Sequence, residues 1–548
     1  MYTSLNERLN KINSKGAQLL LKNSLTGLEK ESLRVNTEGG IASTPHPSVL
    51  GSALKNPWIT TDYAEAMLEL ITPPCDRAHK SLDFLLDVET FVYQHLQDEL
   101  LWTTSMPCVI RGEDDIAIAN YGTSNAGIMK SVYRQGLAER YGKVMQVISG
   151  VHFNYSVDTD FWPFYQEIEE RSAEEHANEE HSNEQHFNKE RKDKDAQAFI
   201  NQKYMGMTRN IQRYGWIIPY LFGTSPAVCK SFIEDGVKPK GMKDYKGHTF
   251  YAEWGTSLRM GDIGYTNSNE DSSGVKANYN SIDAYISSLR KAISTPHQEY
   301  EDIGIKSGDE YLQLNTNILQ IENEYYSSVR PKQILEGFEK PTCALERRGI
   351  QYVELRSVDI NAFRPAGLTH KQLYFLEIFM LFCLLQDSAD ITEAESVEID
   401  ANQLLVAHEG RKPGLELSRM GEKITLKEWA TELLEQMRGI AAVLNSAHNE
   451  NFYSDAIDAQ MELIEDPSLT PSAQVLHDIF NKDGSYYQFA KRKSEEHRAY
   501  FLDRDLSDHI AKKFEHVAQQ SLQQQSELET AKDMDFDTFL QRYFDDKL

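Results

Sequence analysis

Acidic residues set two apart in extended-looking segments, with basic residues beside them, are the part of this sequence best suited to chemistry. Gly27-Leu28-Glu29-Lys30-Glu31-Ser32-Leu33-Arg34-Val35 is the first such run, and Gln351-Tyr352-Val353-Glu354-Leu355-Arg356-Ser357 is the second. Side chains alternate faces along a β-strand, so Glu29 and Glu31 project together, as do Glu354 and Arg356. A sheet face carrying several carboxylates is costly to bury unless cations sit among them. Hard divalent ions such as Mg²⁺ meet that need, and Mg²⁺ usually arrives with a phosphate-bearing substrate. The pattern points to ATP chemistry on an open sheet. An edge strand exposing its charges to water would read the same way.

Asp62-Tyr63-Ala64-Glu65-Ala66-Met67-Leu68-Glu69-Leu70-Ile71-Thr72-Pro73 adds weight to the first reading. Glu65 and Glu69 lie four apart, which places them on one face of a helix or a strand. The apolar neighbours suggest burial, and a strand is expected from Met67 to Thr72. His152 stands in an apolar, β-favouring run, where a hydrogen-bonded core histidine is the plainer alternative to a ligand. Arg259 and the pair Tyr133-Arg134 offer guanidinium groups for a carboxylate or phosphate, although most such arginines make surface ion pairs. Gly-Thr-Ser recurs at 122–124, 223–225 and 255–257, each a weak signal for an anion-holding turn. No Walker loop, GxGxxG, HExxH or GxSxG is present, so phosphates would have to be held by metals and arginines.

The elements that position these residues read as follows. Residues 1–26 have helical spacing of Leu5, Leu9, Ile12 and Leu19–Leu21. From Gly27 to about Pro365 short β-favouring runs alternate with glycine-bearing loops and some helices, an α+β texture. Beyond Pro365 the pattern is helical. Capping boxes begin at Thr369 and Thr425, and Thr470-Pro471 reads as a further helix start. The expected organisation is a catalytic α+β core over 1–365 and a mostly helical region over 366–548 packing on it. Residues 167–197 read as a solvated insertion, in which His176, His181 and His186 recur every five residues and so share no helical face. The run from Ser494 to Leu548 reads as a polar helical tail.

Bulk composition narrows the partners. The 548 residues carry 57 Lys and Arg against 84 Asp and Glu, a formal charge of −27, which disfavours nucleic acid and anionic membrane. Five scattered cysteines form no CxxC pair, so neither structural zinc nor a disulfide framework is expected and a reducing compartment fits. No signal-peptide core opens the chain, and the most apolar stretch, Phe375 to Leu385, is too short to span a bilayer. A cytoplasmic protein is expected.

Taken together, GLEKESLRV (27–35), HPSVLGSALKNPWITTDYAEAMLELITP (46–73), SMPC (105–108), YGTSNAG (121–127), ISGVHFNYS (148–156), RYGWIIPYLFG (213–223), GTSLRMGDIGYTN (255–267), LQIENEYY (319–326) and YVELRSVDIN (352–361) resemble the proteobacterial glutamate–cysteine ligases. Nine ordered matches are far more specific than any one short motif. The resemblance runs from about residue 20 to about 420 and implies a glutamine-synthetase-like fold, in which a curved, largely antiparallel sheet forms a metal-lined funnel. It implies ATP and Mg²⁺ (Mn²⁺ as the alternative ion) as cofactors, with L-glutamate and L-cysteine joined through a γ-glutamyl phosphate. It assigns Glu29, Glu31, Asp62, Glu69, His152 and Glu354 to metal, Arg356 and Arg330 to the transferring phosphoryl group, and Tyr133, Arg134, Arg259 and Tyr265 to the substrate pocket. A monomer without nucleic-acid or membrane partners is expected. A ligase with a different acceptor amine would share the metal face. A non-catalytic acidic metal-binding protein would explain the carboxylates but not the interleaved arginines. A bifunctional fusion that also makes glutathione is disfavoured, because the tail leaves no room for a second ATP-using domain.

Overall fold

The computed structural model describes residues 3–177, 189–233, 239–264, 275–531 and 534–548, and the side chains of all of these except 172–177 and 189–194. Seven strands form the main sheet: β1 (Leu25–Val35), β2 (Ile59–Thr61), β3 (Met67–Ile71), β4 (Leu100–Leu101), β5 (Val151–Ser156), β6 (Val329–Lys332) and β7 (Tyr352–Val358). Their order is β6-β7-β5-β1-β3-β2, with β4 pairing the end of β1, and every pairing is antiparallel. The sheet is open.

Strand alternation sorts the side chains into two chemically opposite faces. Leu28, Leu68, Leu70, Val151, Phe153, Tyr155, Val353 and Leu355 point one way and are buried. Behind them lie α2 (Ala78–His95), α4 (Lys189–Tyr214) and α5 (His370–Leu385). Helix α5 starts at the expected Thr369 capping box and is buried almost along its whole length, which its continuous apolar run foretells. Burying the apolar face this way supplies the hydrophobic stabilisation and leaves the opposite face free to be polar. That second face carries the acids.

The two basic residues within the first acidic run belong to the apolar side, not to the acids beside them in sequence. Lys30 is buried on the helix-covered face, with Nζ 2.8 Å from both carboxylate oxygens of Glu89 on α2. Arg34 is likewise buried and pairs with Glu99 at 2.8 Å. Alternation dictates this outcome: a residue between two same-face acids must face away from them.

The amino-terminal helix α1 is shorter than 1–26. It covers Thr3–Ser14 and stops where Gly16 adopts φ +68, a 3₁₀ turn follows at Ala17–Leu21, and β1 begins at Leu25. The second capping box opens the long amphipathic α6 (Leu426–His448), and Thr470 caps the helix Pro471–Asp478 with Pro at its start. The polar tail is three helices, α8 (Tyr486–Asp503), α9 (Asp508–Thr530) and α10 (Phe536–Phe544). It returns to the strand-bearing part: Ser521 Oγ accepts from Ser52 N at 2.9 Å, Glu529 accepts from Thr123 N at 2.9 Å, and the Phe544 carbonyl accepts from Lys340 Nζ at 2.8 Å. The histidines at 176, 181 and 186 have side chains outside the described residues.

One expectation fails. Cys108 and Cys229 form a disulfide, with Cα atoms 5.4 Å apart and a sequence separation of 121. A bridge joining such distant positions leaves no spacing signal, and the loop after β4 meets the short strand Ala227–Cys229 only in the folded protein. The cysteine pattern therefore loses its force as an argument for a reducing compartment. Among the described residues no helix is long and apolar enough to cross a membrane.

Candidate metal and nucleotide site

Register brings the sequence-selected acids together. Glu31 lies opposite Glu69 across β1 and β3, Glu29 opposite His152 across β1 and β5, and Asn154 opposite Glu354 across β5 and β7. His152 Nδ1 is 3.1 Å from Glu29 Oε2 and 3.4 Å from Glu354 Oε1, and its Nε2 is 3.6 Å from Glu31 Oε1. One ligand atom from each of Glu29, His152 and Glu354 falls within 4.8 Å of the other two, spacing that suits a single cation. His152 is buried and hydrogen-bonded, as a core histidine would be, and its partner Glu29 belongs to the acidic cluster.

Glu29, Glu31 and Glu354 are each held by a neighbouring donor. Asn154 Nδ2 donates to Glu29 Oε1 at 2.8 Å, and the Gly150 amide donates to Glu31 Oε2 at 2.7 Å. Glu354 Oε1 accepts from Arg356 Nη1 at 3.2 Å. Its Oε2 is buried with no hydrogen-bond donor among the described residues, although the Lys332 ammonium stands 3.4 Å away. An orphaned carboxylate oxygen in a buried acidic cluster is costly as it stands and suits a metal ligand.

The protonation equilibria record the same crowding. Burial, then the charges of Glu29, Asp62 and Glu31, pushes Glu69 well above the ordinary carboxylate range. Burial also raises Glu31, with Asp62 adding to it against the opposing pull of His152 and Arg259. Burial works upward on Glu354 too, but Lys332, Arg356, His152 and Arg330 outweigh it and hold that group well below its usual value. Burial and Glu354 work upward on Glu29, but its hydrogen bond to His152, the His152 charge and Lys332 together outweigh them and hold it below its ordinary value. The face is thus split: Lys332, Arg356 and Arg330 outweigh burial at its β7 end, whereas at its β3 end the pull of Lys130 on Glu69 does not outweigh burial and the neighbouring acids.

Asp62 lies just past β2, with its carboxylate acting on Glu31 and Glu69 and its backbone carbonyl gripped from outside the sheet. Tyr121 donates to that carbonyl at 2.8 Å, and the Arg134 guanidinium Nε donates to it as well. Arg134 therefore points at a backbone oxygen rather than into open space, stacked over the Tyr121 ring at 4.6 Å. Tyr133, on the same helix α3 (Asn125–Tyr141), is half-buried beside the apolar cluster of Leu540, Phe536 and Phe544. Arg330 opposes Glu354 in register and donates Nη2 to the carbonyls of Asn323 (3.0 Å) and Tyr325 (2.5 Å). Arg259 is buried, 1% exposed, and donates Nη2 to the Arg356 carbonyl at 2.8 Å. Tyr265 lies outside the described residues.

Glu65 does not join Glu69. Its oxygens accept from His46 N (2.7 Å) and Asn120 N (2.8 Å), tying two loops together. The strand begins only at Met67, so period-two alternation does not extend back to Glu65. The Gly-Thr-Ser turns also resolve differently: Thr224 N, Ser225 Oγ and Ser257 Oγ all donate to the protein's own Asp359, and Ser124 caps α3.

Sequence reasoning passed over three neighbours of the site. Asn154 and Lys332 sit two residues beyond His152 and Arg330, so the same alternation rule reaches them. Lys130 on α3 had no such signal. It is exposed as a residue, but its ammonium lies 4.8 Å from the centre of the Tyr121 ring, and desolvation there together with Arg134 draws it down to about 8 while Glu69 and Asp62 oppose the shift.

Comparison with known proteins agrees with this geometry. Residues 9–406 match the family model described as glutamate-cysteine ligase. The glutamate–cysteine ligase of Alcanivorax borkumensis is 40% identical over 547 residues, 99% of each chain. That of Pseudomonas putida is 44% identical over 540 residues, 98% of each chain. Among solved structures, the Francisella tularensis glutamate–cysteine ligase in complex with AMP superposes with a TM-score of 0.86 at 33% identity, covering 96% of this chain and 98% of that one. A bifunctional glutathione synthetase from Pasteurella multocida gives a TM-score of 0.70 at 25% identity, over 93% of this chain but 58% of that one.

Proposed function

The chain belongs to the glutamate–cysteine ligase family, and from that premise we propose how its sheet face performs the ligation. The reaction joins the γ-carboxyl of glutamate to the amine of cysteine at the expense of ATP, giving γ-glutamylcysteine for glutathione synthesis. A carboxylate is a poor electrophile. One γ-carboxylate oxygen therefore attacks the terminal phosphorus of ATP, the bond to the bridging oxygen breaks, and ADP leaves behind a γ-glutamyl phosphate. The cysteine amine then attacks the acyl carbon, the amide bond forms, phosphate departs and the nitrogen loses a proton.

The observation that carries the assignment is the convergence of Glu29, His152 and Glu354 within 4.8 Å, with an orphaned Glu354 oxygen. We assign these three, with Glu31, Asp62 and Glu69 around them, as the residues that would hold Mg²⁺, with Mn²⁺ as a substitute. When bound, the metal offsets the charge that otherwise repels the incoming carboxylate from the ATP phosphates. The carboxylates are kept in place for that task by Asn154 and the Gly150 amide. Arg356 faces the transferring phosphoryl group, with Glu354 beside it fixing the guanidinium and Arg330 a second cation near by. Tyr133, Arg134, Arg259 and Tyr265 form the surroundings of the amino-acid substrates in this reading, Arg134 by fixing the loop that carries Asp62. One chain supplies every group named, so a monomer suffices, and a cytoplasmic location gives access to ATP and both amino acids.

Incubation with ATP, Mg²⁺, glutamate and cysteine should give γ-glutamylcysteine, identified by mass, with ADP release that needs glutamate. Glu354→Gln should abolish the product while leaving the circular dichroism spectrum unchanged. Unaltered turnover in that variant removes Glu354 from the site, and ADP release indifferent to glutamate removes the ligase reading.

A further inference from the structure

Asp359 lies immediately past β7, is 1% exposed, and has no part in the mechanism above. Oδ2 accepts from Thr224 N (2.8 Å) and Ser225 Oγ (2.7 Å), Oδ1 accepts from Ser257 Oγ (2.8 Å), and Oδ1 stands 3.7 Å from Arg259 Nη1. Three donors and a guanidinium hold one buried carboxylate, so its position is over-determined.

Arg259 carries that position toward the site. Its guanidinium lies against the Cα of Gly150, where an added Cβ would come within 2.0 Å of Nη2, so glycine alone leaves the room it occupies. From there Nη2 donates to the Arg356 carbonyl at 2.8 Å. Arg356 sits where β7 falls out of register with β5, between Leu355 and Val358. A bulged residue loses ladder bonds on that side, and its side chain is aimed by whatever else fixes its peptide. On this edge the fixing group is Arg259.

We propose that Asp359 is a positioning residue, which holds Arg259 against Gly150 so that Arg259 pins the Arg356 carbonyl and aims the Arg356 guanidinium. The inference rests on the reading that Arg356 faces the transferring phosphoryl group. It goes beyond a scaffold role for Asp359 in tying the turns at 223–225 and 255–257 together.

Two variants break the strut at different points. Asp359→Asn removes the charge behind Arg259, and Gly150→Ala displaces Arg259 without touching Asp359. Each is measured for kcat, for KM toward cysteine and for thermal midpoint, alone and combined with Arg356→Lys. A lost hydrogen bond to a charged group is worth roughly tenfold or more, so each variant should lower kcat by about that factor. KM for cysteine should rise as well, because Arg259 also borders the amino-acid substrates, but neither change should lower kcat by more than about twofold once Arg356 is lysine, because residues acting through one another do not add. Equal losses in both backgrounds would assign Asp359 to scaffolding and overturn the proposal, as would an unchanged kcat in Gly150→Ala. If Asp359→Asn fails to fold, Gly150→Ala decides by itself. An Arg356→Lys enzyme with full kcat would refute the Arg356 reading, and the strut with it.

Discussion

Lys30 gives the sharpest test of how the site strand is held. It stands between Glu29 and Glu31 in sequence but on the opposite face, 4% exposed, and both of its 2.8 Å contacts go to Glu89, 1% exposed. Its other hydrogen bond is to the Pro365 carbonyl at 3.3 Å. Burial alone pushes Glu89 up, and Lys30 opposes that shift. Glu89→Leu would leave an ammonium group in an apolar layer with one carbonyl for company, and breaking a buried pair this way costs about 3–5 kcal/mol. Replacing both partners at once, Lys30→Met with Glu89→Leu, removes two desolvation penalties along with their attraction and should cost far less, within about 1 kcal/mol of wild type. Urea unfolding followed by tryptophan fluorescence gives the four corners of the cycle. The single variants should also lose activity in parallel with stability, because Lys30 is one residue from each of two site carboxylates. A single variant within about 0.5 kcal/mol of wild type, the range of a surface substitution, would refute the claim that this pair anchors β1.

The remaining predictions are shorter. Glu31 and Glu69 are held above, and Glu354 below, the unfolded carboxylate value of about 4.3. Raised groups contribute stability that is fully present below the unfolded value and lost as pH rises through the folded one, whereas Glu354 contributes stability present above that value and lost as pH falls through its depressed one. Metal-free protein should therefore melt higher at pH 5.5 than at pH 7.5, then weaken under stronger acid, and added Mg²⁺ should flatten the first slope; a slope that is flat with EDTA contradicts this. Denatured, unreduced protein should show three thiols, Cys75, Cys343 and Cys383, and five after reduction. Reduction of the 108–229 bridge should lower stability by about 2–4 kcal/mol, and no change would mean the bond does not constrain the chain. Asn154→Ala, which frees Glu29 Oε1, should raise the Mg²⁺ concentration needed for half-maximal activity roughly 10-fold or more, as loss of an orienting partner does. An unaltered Mg²⁺ requirement assigns Asn154 no such role.

Much of the site was legible because strand periodicity is local. Glu29 with Glu31, and Glu354 with Arg356, need only alternation, and five of the six expected metal residues fall on four adjacent strands of one face. What alternation cannot say is which strands are neighbours. The pairing of Glu31 with Glu69 and of Glu29 with His152 arises from antiparallel contacts between segments tens to more than a hundred residues apart; the resemblance to known ligases grouped these residues at the metal without giving that pairing. The same non-locality hid the Cys108–Cys229 bond. Proximity in sequence does not give the charge pairing: Lys30 and Arg34 stand beside Glu29 and Glu31 in the chain, yet they pair with Glu89 and Glu99 behind the sheet, and Lys332 and Arg356 from other strands do the compensating. Short Gly-Thr-Ser tripeptides do bind an anion at 223–225 and 255–257, but it is Asp359.

The central claim is that one acidic sheet face grips nucleotide through metal. Calorimetric titration of ATP into wild type and into Glu354→Gln, each with Mg²⁺ and with EDTA, addresses it without any dependence on turnover. The account predicts binding by wild type that requires Mg²⁺, and binding by Glu354→Gln weakened by about tenfold or more, as removal of a charged ligand group implies. Equal ATP affinity in all four titrations would contradict it.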